Sequence, residues 1–246
     1  MQPELYEQHA RLERDHWWFV ARRSIIERVL AEHLPNATDR QILDVGCGTG
    51  GMLPMLAHFG SVRGLEGEPL AVAQCHETFE EFDVRQGEIP VDVPADGALD
   101  VATSFDVIEH IPGDQAALDS LRTAVRPGGT VVLTVPALMW LWSDHDVVNG
   151  HQRRYTRATL MDVIDRAGLE LLHVSYFNTV LLPMVAAARL AQRVRKPAVV
   201  PHSDFEMPSP WINRVLTRLM SAERSVVPRR GLPIGVSLVA VARRPA

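Results

Sequence analysis

The sequence predicts an α/β fold in which a mostly parallel sheet carries helices on both faces. From Gln41 onward, short β-rich runs alternate with helical stretches, the pattern left by successive strand–helix–strand units. The first run, Gln41 to Gly46, reads as a buried strand and passes directly into a glycine-rich turn and then a helix. Composition agrees: 246 residues, 46% hydrophobic and 22% charged, fit one medium domain or a core domain with an appendage. Disorder, collagen and a long coiled coil are excluded.

Taken in order, Leu5 to His33 reads as one or two helices with Trp17, Trp18 and Phe19 in the middle. Strands are expected over 41–46, 61–67, 83–87, 98–106 and 129–136, with helices such as Met52 to Phe59 and Gln115 to Val125 between them. Arg126-Pro127-Gly128-Gly129 reads as a helix stop and turn into the fifth strand. Two further strands, 169–176 and 235–245, are separated by far more chain than a plain crossover needs. The interval holds two amphipathic candidates, Val180 to Val194 and Trp211 to Val226, joined by a stretch containing Pro197, Pro201, Pro208 and Pro210. The expected organisation is a helical cap over 1–39, a core over 40–177, a helical insertion over 178–234 and a final strand over 235–246.

Net charge is −5, but residues 178–246 carry +8 and residues 1–177 carry −13. An acidic core, and an Arg-rich segment without an evident aromatic stacking platform, argue against a nucleic-acid partner. Cys47 and Cys75 lie in unlike contexts with no metal-type spacing, which suits a reducing compartment. The N-terminus is charged throughout and lacks an apolar signal core. The longest nearly uncharged run, Phe177 to Ala188, is short of the roughly 20 residues a membrane span needs. A cytoplasmic protein is therefore expected. The apolar stretch preceding Arg189, Arg193, Arg195 and Lys196 suits a lid over a pocket, a homodimer contact, or a peripheral contact on the inner face of an anionic membrane.

Ile42 to Gly50 reads ILDVGCGTG. Gly46, Gly48 and Gly51 satisfy G-x-G-x-x-G, and Glu66 follows at the end of the second strand, so the loop alone also fits a dinucleotide site. Three features narrow it. Asp44 is an unusual charge inside a buried strand unless it orders the loop or meets a cationic ligand. Pro127-Gly128-Gly129 precedes the fifth strand, with a hairpin-like strand pair at the end. Asp106-Val107-Ile108-Glu109-His110 follows the fourth strand, at the carboxyl edge of the sheet.

Together these segments, from about Arg40 to Tyr176 plus the closing strand, resemble the class I S-adenosylmethionine-dependent methyltransferases. The resemblance implies a Rossmann-like seven-stranded sheet, with an N-terminal helical cap and a helical insertion before the last strand. It further implies that Asp44, Gly46, Cys47, Gly48 and Gly50 cradle the amino acid end of S-adenosylmethionine. Glu66, beside Gly67, would take the ribose hydroxyls, an acceptor role suited to a carboxylate. Glu88, beside Ile89, sits where the family often has Asp near the adenine, and Ser104 and Phe105 would line the loop after strand four. In this family an arginine on the N-terminal helix can meet the methionine carboxylate; Arg22 and Arg23 are the options.

Methyl transfer from a sulfonium is an in-line displacement that needs an aligned acceptor in a site that excludes water. A hydroxyl acceptor must also lose its proton, so a base or a metal is expected nearby. His110 is the best placed base, with Glu109 orienting it or sharing its work and His151 a further candidate. Asp106-x-x-Glu109-His110 is similar to the E-x-x-E-H pattern of the ubiquinone-pathway O-methyltransferases and the small-RNA ribose methyltransferases. That similarity implies a divalent cation (Mg, Mn or Zn) on Asp106, Glu109, His110 and a later histidine, His145 or His151; the alternative is that Glu109 and His110 merely cap a helix. Arg153 and Arg154 either bind an anionic group on the acceptor or pair with the acidic core. Three consecutive aromatics cannot share one helix face, so at least one of Trp17, Trp18 and Phe19 should look toward the cleft or solvent. The expected activity is O-methylation of a small-molecule, sugar or lipid-linked acceptor; N- or C-methylation and a noncatalytic cofactor-binding module are the alternatives.

Overall fold

A computed structural model describes residues 10–34, 39–194 and 206–246. Seven strands, β1 (Arg40–Val45), β2 (Gly60–Glu66), β3 (Asp83–Gln86), β4 (Leu99–Phe105), β5 (Val125–Pro136), β6 (Glu170–Phe177) and β7 (Ser237–Arg243), form one sheet in the order β3-β2-β1-β4-β5-β7-β6. Pairing is parallel from β3 to β5, and β7 is antiparallel to both β5 and β6. The helices are α1 (Trp17–His33), α2 (Leu53–Leu56), α3 (Pro69–Thr78), α4 (Asp114–Ala124), α5 (Asp144–Asn149), α6 (Arg157–Arg166), α7 (Leu182–Val194) and α8 (Pro210–Ser221). Short 3-10 turns stand at Ile108–His110, Met139–Leu141 and Ala222–Ser225.

Alternation along β5 shows how the sheet is buried on both faces. Val131, Leu133 and Val135 join one core with Leu118 and Leu121 of α4 and Leu160 and Ile164 of α6. Val132 points the other way, into a second core built on Ile25, Ile26, Val29 and Leu30 of α1. Helices on both sides leave no solvated face, so the central strands read as unbroken apolar runs.

Three element boundaries differ from expectation. The first loop helix shrinks to Leu53–Leu56, because His58 and Phe59 donate to carbonyls three residues back and tighten the chain toward β2. β5 begins at Val125 rather than Gly129: Val125 pairs with Leu99 and Thr130 with Val101, so Arg126–Gly129 forms an irregularity within the strand. The second insertion helix ends at Ser221 and continues as a 3-10 turn. α8 packs on α1, where Asn213 Oδ1 accepts the Trp17 N–H at 2.7 Å and Asn213 Nδ2 donates to the Asp15 carbonyl at 2.7 Å. Arg195, Lys196, Pro197 and Pro201 lie outside the described residues.

Candidate active site

A cavity of about 740 Å³ opens along the carboxyl edge of the sheet from β2 to β5, walled by residues of α1 and α7. On the β2 side, Glu66 is 8% exposed and both its oxygens are engaged: Oε2 accepts the Gly48 N–H at 2.8 Å and Oε1 the Glu68 N–H at 2.9 Å. The acid after β2 therefore pins the glycine loop, and its carboxylate still has lone pairs to offer a ligand. Gly46 and Cys47 both donate their amides to the Leu65 carbonyl. Gly48 has φ +58° and a Cβ there would meet nothing within 4 Å, so the space over the loop is open to a ligand. Gly67, Glu88 and Ile89 continue this wall.

Asp44 is buried beneath the loop and accepts the Thr103 hydroxyl at 2.6 Å. Burial raises its carboxyl to about 7, against the lowering effect of that hydrogen bond. The Cys47 side chain is buried in the core, and burial pushes its thiol far up, so it is not a nucleophile.

Two predicted cofactor residues do not line the cavity. Gly50 has φ +88°, and a Cβ would stand 2.5 Å from Cys75 Sγ and 2.9 Å from the Phe79 ring; its glycine serves packing behind the loop. Ser104 is 1% exposed within β4, whereas its neighbour Phe105 does reach the cavity. Of the two arginine options, Arg22 lines this cavity and Arg23 does not. Arg22 is buried, paired with Asp106, donates to Thr134 Oγ1 at 3.1 Å and lies over the Trp18 and Phe105 rings at 5.0 and 5.7 Å. Arg23 donates to the Glu13 and Gly51 carbonyls. Trp17, Trp18 and Phe19 all line the cavity, more than the single aromatic required by helix geometry.

On the β5 side, Glu109, His110 and His151 each place one donor atom within 4.8 Å of the others. The His110 and His151 rings meet edge-on, with centroids 4.7 Å apart. Asp106 is not in this group; its carboxylate goes to Arg22. Neither oxygen of Glu109 accepts a hydrogen bond from another residue among the described residues, although the side chain is fully buried. Burial, and then the charge of Asp106, push its carboxyl well above the usual range. Burial, and then the neighbouring His151, push His110 down to about 3, so its ring is neutral at ordinary pH. An orphaned buried carboxyl beside two imidazoles is a donor set that suits a divalent cation. His145, Asn149 and Arg154 complete this wall.

Asp146 is the residue that sequence reasoning missed here. It is fully buried; its Oδ1 lies 2.8 Å from His151 Nδ1, and its oxygens accept from Arg154 Nε at 2.7 Å, Arg154 Nη2 at 3.0 Å and the Ser143 N–H at 2.9 Å. The S-x-x-D spacing from Ser143 signals a helix cap, which it is, and that signal hides the other contacts. Arg154 is thus paired with the acidic core, as is Arg153, which meets Asp114 at 3.1 Å and the Pro112 carbonyl at 2.7 Å.

A seven-stranded sheet with this strand order, a glycine loop after β1 and an acid closing β2 onto it define the class I S-adenosylmethionine-dependent methyltransferase architecture. A methyltransferase domain model matches residues 15–174, and the chain belongs to that family. It is 26% identical to an S-adenosylmethionine-dependent methyltransferase of Mycolicibacterium smegmatis, over 65% of this chain and 62% of that protein. It is 35% identical to the ubiquinone biosynthesis O-methyltransferase of Acinetobacter baylyi, over 41% of this chain and 45% of that protein. The chain thus spans less than two thirds of the length of these relatives. Among solved structures, an S-adenosylmethionine-dependent methyltransferase from Mesorhizobium loti superposes with a TM-score of 0.56 at 16% identity, covering 87% of this chain and 95% of that one. One from Archaeoglobus fulgidus gives 0.57 at 17%, covering 90% and 94%. These structural likenesses speak for the fold alone.

Proposed function

We propose that the chain is an S-adenosylmethionine-dependent methyltransferase that methylates a hydroxyl on a small-molecule or lipid-linked acceptor. The observation that carries it is that one cavity holds both the glycine loop with Glu66 and the His110–His151 pair. The identity with ubiquinone biosynthesis O-methyltransferases favours oxygen as the acceptor atom. Bound S-adenosylmethionine supplies a methyl group on a sulfonium. Glu66 would hold the ribose hydroxyls with its remaining lone pairs. Asp44, beneath the loop, would meet the cationic end of the ligand, and Trp17, Trp18 and Phe105 would keep water from the acceptor. His151 Nε2 would take the hydroxyl proton that the acceptor oxygen gives up on gaining the methyl group.

A second reading rests on the same three donors. Glu109, His110 and His151 would hold a divalent cation (Mg, Mn or Zn), which would supply Lewis-acid activation of the acceptor hydroxyl. The convergence of their donor atoms within 4.8 Å favours it, as do Glu109 oxygens that accept from no other described residue. Activity unchanged by a strong chelator and by added Mg, Mn or Zn would remove this reading and leave the first.

For a lipid-linked acceptor the support is at α8. Trp211 is 67% exposed, and Ile212, Val215 and Leu219 share its outward arc, with Arg214 and Arg218 along the edge. No helix among the described residues is long and apolar enough to cross a membrane. We infer peripheral docking on anionic lipid. Vesicles containing phosphatidylglycerol should sediment the wild type and release it with salt or on Trp211→Ala. A dimer in solution that Trp211→Ala dissociates would assign this face to a second copy instead.

The central claim is tested by calorimetry with S-adenosylhomocysteine, followed by screening hydroxylated acceptors for formation of that product. Wild-type protein that fails to bind it would overturn the proposal.

A further inference from the structure

The cavity histidine His151 is held from behind by a group with no access to the cavity itself. We propose that Asp146 is a positioning residue that fixes the tautomer and ring orientation of His151, keeping Nδ1 protonated and presenting the Nε2 lone pair to the acceptor end of the cavity.

Geometry comes first. Asp146 stands in the first turn of α5 and His151 just beyond the end of that helix, with the His151 N–H also donating to the Asp146 carbonyl at 2.9 Å. Main chain and side chain therefore both tie the imidazole to one residue. The Asp146 carboxylate is braced in turn: Arg154 forks onto both its oxygens and uses Nη1 to donate to the Ala137 carbonyl at 3.1 Å, next to the end of β5. A buried carboxylate survives only when paired and hydrogen-bonded, and here Arg154 and the Ser143 N–H donate to it. A surface cap would need the Ser143 N–H alone; the additional partners are what a helix cap leaves unexplained.

The proton must then sit on one ring nitrogen. Arg154 donates to both oxygens of Asp146 and the Ser143 N–H to one of them, so the arginine's charge and the donors around it hold the group as a carboxylate. Ionised, it can only accept, so Nδ1 donates and the neutral ring carries its lone pair on Nε2. The groups facing that ring are His110, Glu109 and His145, with ring centroids of the two histidines at 4.7 and 6.1 Å. The role assigned to the lone pair rests on the proposed function, and it holds whether Nε2 takes a proton or binds a cation, since both need it unprotonated.

The test is a two-bond proton–nitrogen correlation spectrum of the full chain labelled at histidine, recorded metal-free at a pH where imidazole is neutral, with His151 assigned through His151→Gln. Wild type should show the Nδ1-protonated tautomer. Asp146→Asn should lose that preference, moving the two nitrogen shifts of His151 toward each other. Arg154→Lys, which keeps a cation but breaks the fork, should lower the melting temperature and leave the tautomer in place. An Nε2-protonated ring in the wild type, or a tautomer unmoved in a folded Asp146→Asn variant, would overturn the proposal; if that variant does not fold, the wild-type spectrum decides. None of these readouts requires turnover, so absence of methyl transfer to every acceptor would sink the functional reading without touching this one.

Discussion

Asp106 turns its carboxylate to Arg22, across the cavity mouth from α1, and not to the Glu109–His110–His151 group beside it in sequence. The consequence is a clasp: an arginine of the N-terminal helix, stacked between Trp18 and Phe105, ties α1 to the loop after β4. Arg22→Met should leave Asp106 without its cation and cost about 2–4 kcal/mol in denaturant unfolding. Arg22→Met with Asp106→Asn should recover part of that loss, and equal losses in the single and double variants would argue against the pair.

Glu66 organises the loop through two backbone N–H donors. Glu66→Gln replaces one acceptor oxygen with a donor, so S-adenosylhomocysteine affinity should fall roughly 10- to 100-fold, equivalent to one or two hydrogen bonds. Calorimetry gives the number directly; unchanged affinity would mean that the acid serves the loop without touching the ligand.

Gly48 and Gly50 should separate binding from folding. Gly50→Ala drives a Cβ into Cys75 and Phe79 at a positive φ, and should cost about 1–3 kcal/mol or more of stability. Gly48→Ala meets no protein atom, so its main effect should be on cofactor affinity, with a stability loss of about 1 kcal/mol from its φ alone.

Asp44 makes stability depend on pH. Its folded value of about 7 lies above the ordinary 3.8, so between those values the folded state holds a proton that the unfolded chain has released. The contribution is complete below pH 3.8 and is lost as pH rises through 7, at up to about 1.4 kcal/mol per pH unit. Asp44→Asn should flatten that fall in unfolding curves measured across the window. A wild type whose stability does not decline there more than the variant's would show that Asp44 is already ionised.

His151→Gln should lower kcat about 10²- to 10⁴-fold while S-adenosylhomocysteine binding stays near wild type, the signature of a lost proton acceptor. An equal loss of cofactor affinity would instead place His151 in the binding of that ligand.

The positions of the strands, the glycine loop, the acid closing it and the histidine segment after β5 were all legible along the chain. They depend on local signals: alternation of apolar runs, glycines at a turn, a charge where a strand ends. Element edges were less so. Arg126–Gly129 reads as a turn because Pro and Gly favour one, yet pairing of Val125 with Leu99 extends the strand past it. Gly50 matches a ligand-binding motif, and only its distance from Cys75 reveals a packing role.

What required the folded chain was the choice of partner for each buried charge. The sequence put Asp106 with Glu109 and His110, offered Arg22 or Arg23 to a ligand carboxylate, and left Arg153 and Arg154 between an acceptor anion and the acidic core. Tertiary structure gave Asp106 to Arg22, Asp114 to Arg153 and Asp146 to Arg154. A buried ion must be neutralised by whatever the fold brings within hydrogen-bond distance, and for Arg22 and Asp106 that neighbour comes from a distant part of the chain. The residue types declared the chemistry of this protein; the tertiary pairing of its charges and the packing of α1 on the face of the sheet decided which of them line the cavity.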